Sequence, residues 1–382
     1  MLRRACLITL LALGATAVHA AETWLVGPKA PALSLQQAIK QAKDGDTIAV
    51  LEGEYDGEVA VIEQKKLTIK GIGKRPVLRA GGRSAEKKAI LVVRDGDITI
   101  ENLEFRGARV PDGNGAGVRF EKGRLLVRGC AFYDNEIGLL TANFADAELR
   151  IEDSEFGDAP TMVGSLPHLL YVGRIAKLSI TGSRFHEGFE GHLIKSRAKE
   201  SLIAYNFIYD GWSGSASYEI DLPNGGLATL IGNVIGQGPG SQNRTVVAFG
   251  AEGNAWPQSV LAMSHNTLLS GGTMPARFLK VWHERLPANT PVFVINNVAA
   301  GVGVLALGNG GVFEGNGSTL GRWLRDPATL DFGLPADSRL RGTGVDPTRI
   351  GGRDLSPKAE FTLPIGTRPI RPPAQWSPGA FQ

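Results

Sequence analysis

The sequence predicts an all-β solenoid in which short strands stack coil upon coil, and three observations carry the prediction. A strand phrase alternating apolar and polar residues recurs as LTIKG (67–71), ITIEN (98–102), LLVRG (125–129), LRIED (149–153), LSITG (178–182), LIAYN (202–206), TLIGN (229–233) and FVINN (293–297), with LAMSHN (261–266) a looser copy. Each copy ends in Gly, Asn or Asp, residues that tolerate a left-handed corner. From Asn102 to Asn233 the corners recur every 24–29 residues, the drifting period of stacked coils with variable loops. Bulky residues three positions after the corners, Phe105, Phe132, Phe156, Phe185 and Tyr209, are expected to stack as an internal ladder at about 4.8 Å spacing. The Asn residues at 206, 233, 266 and 297 form a second expected ladder. Fifty glycines in 382 residues, with few long helical patterns, agree with a chain of turns and short strands.

Taken in order, residues 1–20 read as a cleaved leader: Arg3 and Arg4 precede an apolar run from Cys6 to Ala17, and Val18-His19-Ala20 is a small-residue cleavage site. The mature chain is then expected to begin at Ala21 and to be periplasmic or secreted. It spans no membrane, because no later apolar run approaches about 18 residues. Cys130 is left as a lone cysteine, read as a small buried hydrophobe. Losing Arg3 and Arg4 lowers the formal charge from +3 to +1, a balance that gives no reason to expect nucleic acid. Leu35, Ala38, Ile39 and Ala42 recur at helical spacing behind Ser34, a short helix suited to cover the open end of a stack, and Thr47 to Leu51 follows as a strand. Residues 21–321 make one domain of coils. Residues 322–382, including the Pro-rich RPIRPPAQWSPGAFQ (368–382), lack the phrase and are expected to wrap the last coil as an irregular cap.

The helix with GDTI and GEY at the opening, the LxIxxxxF coils and the closing DFGLPADSRLRGTG together resemble secreted proteins of the pectin-lyase-like superfamily. The resemblance covers nearly the whole mature chain and implies a single right-handed parallel β-helix. Such a scaffold hosts unrelated functions, so chemistry must come from particular residues.

A second strand precedes the phrase in each coil, among them HLLYVG (168–173), HLIKSR (192–197) and YEIDLP (218–223). With Leu170, Ile194 and Ile220 pointing inward, alternation turns Tyr171, Lys195, Arg197, Glu219 and Asp221 outward. Their distances to the next corner align Tyr171, Lys195 and Asp221 in one column on three successive coils. Cleaving a uronate polymer by β-elimination needs a base for the proton α to the carboxylate, positive charge for the enolate and an acid for the leaving oxygen. Lys195 is the candidate base, its charged form disfavoured by a neighbouring Arg. Arg197 suits a substrate carboxylate through its planar fork, and Tyr171 or Tyr218 suits the acid. Glu219 and Asp221, with Glu252, are candidate calcium ligands; His192, Trp212 and Asn224 are candidate substrate contacts.

The KS of LIKSRAKESLIAYNFI resembles the strand bearing the catalytic Lys in β-helix lyases of the alginate lyase and chondroitinase B type, with Lys195 at the matching place. That family carries a catalytic Arg in an RHG sequence on the following coil. This chain reads YEIDLPNGG there, with no counterpart. The resulting expectation is a monomeric lyase acting on an acidic polysaccharide. Alternatives are an epimerase, a hydrolase using Glu219 and Asp221 about 7 Å apart, and a non-catalytic escort with Trp212, Trp256 and Trp282 as sugar platforms. The plainest alternative is a solvated strand face with a weak Lys195–Asp221 ion pair.

Overall fold

The computed structural model describes residues 20–382 apart from 30, 31, 163, 165, 273, 308 and 309, so the leader lies outside it except for Ala20. Three short strands recur coil after coil, and each pairs in parallel with its counterparts in neighbouring coils, giving sheets of 12, 10 and 11 strands. The architecture is a parallel β-helix. The opening helix, Leu35–Gln41, buries Leu35, Ala38 and Ile39, and Ser34 and Gln37 form a reciprocal capping box at its start. Gln64 Nε2 closes its other end by donating to the carbonyls of Ile39 at 2.7 Å and Ala42 at 2.9 Å. No helix among the described residues is long and apolar enough to cross a membrane.

The sheets differ in what covers them. In the twelve-strand sheet, strands such as Asp97–Glu101 alternate between core and surface. In the ten-strand sheet Ala89–Val93 and Ile137–Thr141 are buried throughout, and Ala85, Ala89, Val92, Ala116, Ile137 and Leu140 form an apolar cluster with Val59, Val61 and Tyr171 packed against it. Covered on both faces, these strands read as continuous apolar runs.

Inside the coils, Phe105, Phe132, Phe156 and Phe185 stack with centroid distances of 5.1, 4.4 and 4.7 Å. Tyr209 does not extend this ladder. Phe185 pairs instead with Ile208, and Tyr209 packs from outside against Phe332 at 5.3 Å. The cause is a one-residue slip at the corner: left-handed backbone falls on Asp153 and Gly182, then on Tyr205, Gly232, His265 and Asn296, each one residue before the Asn expected there. Ile180 accordingly faces Ile203, and Leu202 is 37% exposed. A slip of one residue sends every side chain of a strand to its other face.

The Asn residues sit just past that corner and form the second ladder. Asn233 Oδ1 accepts from the backbone N–H of Asn206 at 2.9 Å and from its Nδ2 at 3.0 Å. Asn233 Nδ2 donates to the Ile203 carbonyl at 2.8 Å and to Asn266 Oδ1 at 2.9 Å. Asn266 and Asn297 repeat the pattern as far as Asn316. Toward the N-terminus the ladder continues through hydroxyls, with Ser183 Oγ accepting from Ser154 N–H and Ser154 Oγ from Cys130 N–H. Cys130 is fully buried, which pushes its thiol up to about 12.

The C-terminal segment touches the last coil and also runs back along the stack. Its Phe332, Leu334, Phe361 and Ala380 pack along the flank of the eleven-strand sheet on Phe207, Val234, Leu269 and Val298. The backbone N–H of Lys358 donates to Tyr205 Oη at 2.9 Å, and that of Gly366 to the Gly182 carbonyl at 2.7 Å. On the last coil Leu340 meets Gly317 and Val345 meets Gly315, while Val312–Glu314 is exposed along its length. The reason for the return path is written in one outward column, which changes from Glu155 and Arg184 to Phe207 and Val234 where the tail begins to cover it.

Asn233→Ala removes four hydrogen bonds and strands buried partners, so it is expected to cost at least about 3 kcal/mol. Leu202→Ala, facing water, is expected to stay within about 0.5 kcal/mol. Thermal unfolding of both variants checks the corner assignment.

Candidate functional site

The ten-strand sheet brings the expected column together: Tyr171 pairs with Lys195, and Lys195 with Asp221. Lys195 Nζ lies 3.5 Å from Asp221 Oδ2 and 2.7 Å from Glu252 Oε1. Arg197, two residues along the same coil, uses every side of its fork. Its Nε donates to Tyr171 Oη at 3.1 Å, its NH1 to Asn224 Oδ1 at 2.9 Å, and its NH2 meets Glu252 Oε2 at 2.6 Å. Burial opposes the Arg197 charge, yet the Tyr171 and Glu252 contacts outweigh it and raise its pKa above the ordinary value. Burial likewise opposes the Glu252 carboxylate, while Lys195 and Arg197 hold it below the usual range.

A loop explains how Glu252 arrives there from two coils away. The strand Thr245–Phe249 ends at Gly250, and the next begins only at Val260. Asn224 Nδ2 donates to the Gly253 carbonyl at 2.6 Å, and Trp256 Nε1 donates to the Arg197 carbonyl at 3.0 Å. Arg174 lies 4.0 Å over the Trp256 ring and donates to the Asn254 carbonyl at 2.9 Å. Arg174 follows the HLLYVG strand on the rim of this column, a position that identifies it once the register is known.

Histidines form the floor beside the column. The rings of His168, His192 and Tyr218 meet edge to face at 4.9 Å per step. His168 Nδ1 accepts from the His192 backbone N–H at 2.8 Å, which leaves its proton on Nε2. Burial first, then the charges of His192, Lys195 and Arg197, hold His168 well below its ordinary range and therefore neutral. His192 Nδ1 lies 3.2 Å from Asp221 Oδ2, off the line along which a ring N–H donates.

Two expectations are corrected. Glu219, read as outward, aligns with the core residues Leu193 and Val246 and is fully buried. The strand proper starts at Ile220, so alternation does not extend back to residue 219. Neither carboxyl oxygen meets a donor in hydrogen-bonding geometry, although Gln237 lies close enough to offset part of the burial effect. Burial, with the Asp210 charge, raises Glu219 well above the usual carboxylate range. It therefore cannot serve with Asp221 as a hydrolytic pair on a groove-bound sugar. Nor do Glu219, Asp221 and Glu252 fit a calcium ligand set: one faces the core, one is held by two cations, and Asp221 borders Lys195 and His192. Among the described residues no three His, Cys, Asp or Glu side chains converge as a metal site.

The remaining candidates stand apart to different degrees. Asn224 is in the cluster, His192 and Tyr218 border it, and Trp212 is 79% exposed and joins none of these contacts.

Comparison with solved structures finds the crystal structure of pectate lyase Pel9A, with a TM-score of 0.63 and 13% identity over 91% of this chain and 98% of that one. What the two share is the fold. No family model matches the sequence, and no curated protein resembles it significantly.

Glu219 keeps its proton in the folded state at pH values where the unfolded acid, near 4.5, has lost it. Its protonation therefore favours folding at low pH, and that contribution drains away as pH rises above about 4.5 toward the native value, at up to about 1.4 kcal/mol per pH unit. Glu219→Gln is expected to remove this slope. Denaturant unfolding measured from pH 5 to 8 checks it, with Asp210, raised to about 6 by burial, supplying the residual dependence.

Proposed function

We propose that this is an exported protein that acts on an acidic, uronate-containing polysaccharide and cleaves it by β-elimination. The carrying observation is the pair of part-buried cations, Lys195 and Arg197, set side by side on one rung with Tyr171 at hydrogen-bonding distance from the guanidinium. The neighbouring fold is named for pectate lyase, which puts an acidic polysaccharide among the substrates of this scaffold. Export follows the reading of residues 1–20 as a leader.

In this reading Arg197 holds the uronate carboxylate and withdraws charge as the enolate develops. Lys195, after its ammonium has released a proton to solvent, takes the α proton as a neutral amine. In the free protein its Nζ is engaged by Asp221 and Glu252, so a base role requires the Glu252 contact to open. Tyr171 Oη accepts from Arg197, and among the described residues its own O–H is donated to no partner, which leaves it available to protonate the leaving oxygen. The escort alternative rests on sugar platforms. Of its three tryptophans, Trp256 is covered by Arg174 and Trp282 by Lys280 at 4.2 Å, leaving Trp212 open.

Incubation with pectate, alginate and glycosaminoglycans is expected to produce unsaturated uronate absorbance on at least one. Lys195→Ala is expected to lower that rate by about 1,000-fold. Arg197→Lys, which keeps the charge and loses the fork, is expected to weaken kcat/KM by at least about ten-fold. Binding without any chain shortening replaces this reading with the escort.

A further inference from the structure

Glu252 is placed unlike the other acids of the cluster. Asp221 lies beneath Lys195 and is 2% exposed, whereas the Glu252 side chain is 43% exposed and approaches from the solvent side. Its two oxygens are divided between the cations, Oε1 to Lys195 Nζ at 2.7 Å and Oε2 to Arg197 NH2 at 2.6 Å. Among the described residues the other hydrogen-bond partners of that guanidinium are neutral oxygens, Tyr171 Oη and Asn224 Oδ1. Among the described residues the sole anion paired with Arg197 is thus a planar carboxylate on a surface loop.

The loop is built so that its backbone stays while this side chain can leave. Gly250 and Gly253 flank the Glu252 turn with φ of +83° and +66°, which an L side chain rarely adopts. The Glu252 N–H donates to the Pro223 carbonyl at 3.1 Å, and Asn224, Arg174 and Trp256 tie the neighbouring segment to the three preceding coils. Arg285 also donates to the Ala251 carbonyl. None of these bonds uses the Glu252 carboxylate. Among the described residues, rotating that side chain outward breaks its two ion pairs and no other hydrogen bond of the carboxylate, since Lys195 and Arg197 are its partners.

We infer that the Glu252 carboxylate is an internal stand-in for the substrate's carboxylate, occupying the subsite between Lys195 and Arg197 until a uronate displaces it. This deepens the proposed function and rests on its assignment of an acidic sugar to this groove. Exchanging one carboxylate for another leaves the local charge unchanged, so a uronate can take the place at little electrostatic cost. A neutral sugar or a uronate ester leaves Arg197 without an anion and Lys195 with Asp221 alone. The exchange thereby selects acidic polymers before any chemistry occurs, and it replaces Glu252 on Lys195 Nζ with the substrate at the moment it arrives.

Calorimetric titration with trimeric uronates prepared from pectate and from alginate tests the inference, with their methyl esters and a neutral trisaccharide as controls. Glu252→Gln is expected to tighten binding of at least one uronate about five-fold, the worth of releasing a partly exposed ion pair. The esters and the neutral sugar are expected to show no gain. Glu252→Ala, which removes the group altogether, is expected to give the same direction. Unchanged or weaker uronate binding in both variants, equal gains for the neutral sugar, or no uronate binding by any form overturns it. Tighter uronate binding without unsaturated product from any polymer keeps the subsite and removes the lyase reading. Product formation with uronate affinity untouched by both substitutions does the reverse.

Discussion

A coil of this kind turns its backbone through a buried corner, and each amide there must find an acceptor other than water. The side-chain ladder from Ser154 to Asn316 supplies one at successive coils. Asn serves best, because one amide accepts from the backbone and side chain of the coil on one side and donates to the coil beyond. The bonding fixes which corner sits over which. Loops elsewhere can then differ in length without moving any strand against its neighbour, and the alignment of Tyr171, Lys195 and Asp221 inherits that fixed register.

Charge in the groove is arranged by the same logic of partnered burial. Asp221 has lost nearly all contact with water and keeps one oxygen without a hydrogen-bond partner, and the Lys195 cation beside it offsets part of the cost of that burial. Arg197 is anchored by a phenol and an amide and does not depend on its ion pair for position. His168 contributes a neutral ring whose acceptor nitrogen is already used by the backbone. The result is a rigid pair of cations supported from below by Asp221, with the adjustable group, Glu252, on top.

Much of this was legible in the sequence, and each failure has its own physical cause. Repeated corners gave the fold, and in-phase strands gave the column, because both depend on local alternation. The slip at Tyr205 was hidden because Tyr205 and Asn206 are adjacent and Asn is the commoner left-handed residue. Tyr209 and Leu202 were misplaced with it. Glu219 failed differently: a carboxylate among Leu193 and Val246 contradicts the usual cost of burying charge, and only protonation makes it tolerable. Arg174 and the Glu252 contacts come from a loop reaching back 57 to 80 residues, a closure that strand periodicity does not encode.

The returning tail changes the thermodynamic character of the stack. A bare solenoid behaves as a linear array in which each coil is coupled to its neighbours, so it can fray from an open end one unit at a time. Here residues 332–380 bind the flank from Gly182 to Val298, joining coils far apart in the array. Peeling the exposed last coil therefore meets a second set of contacts that span the coils bearing Lys195 and Asp221. The groove lies inside a strapped cooperative block, and the coils before Gly182 rely on nearest-neighbour coupling and the opening helix.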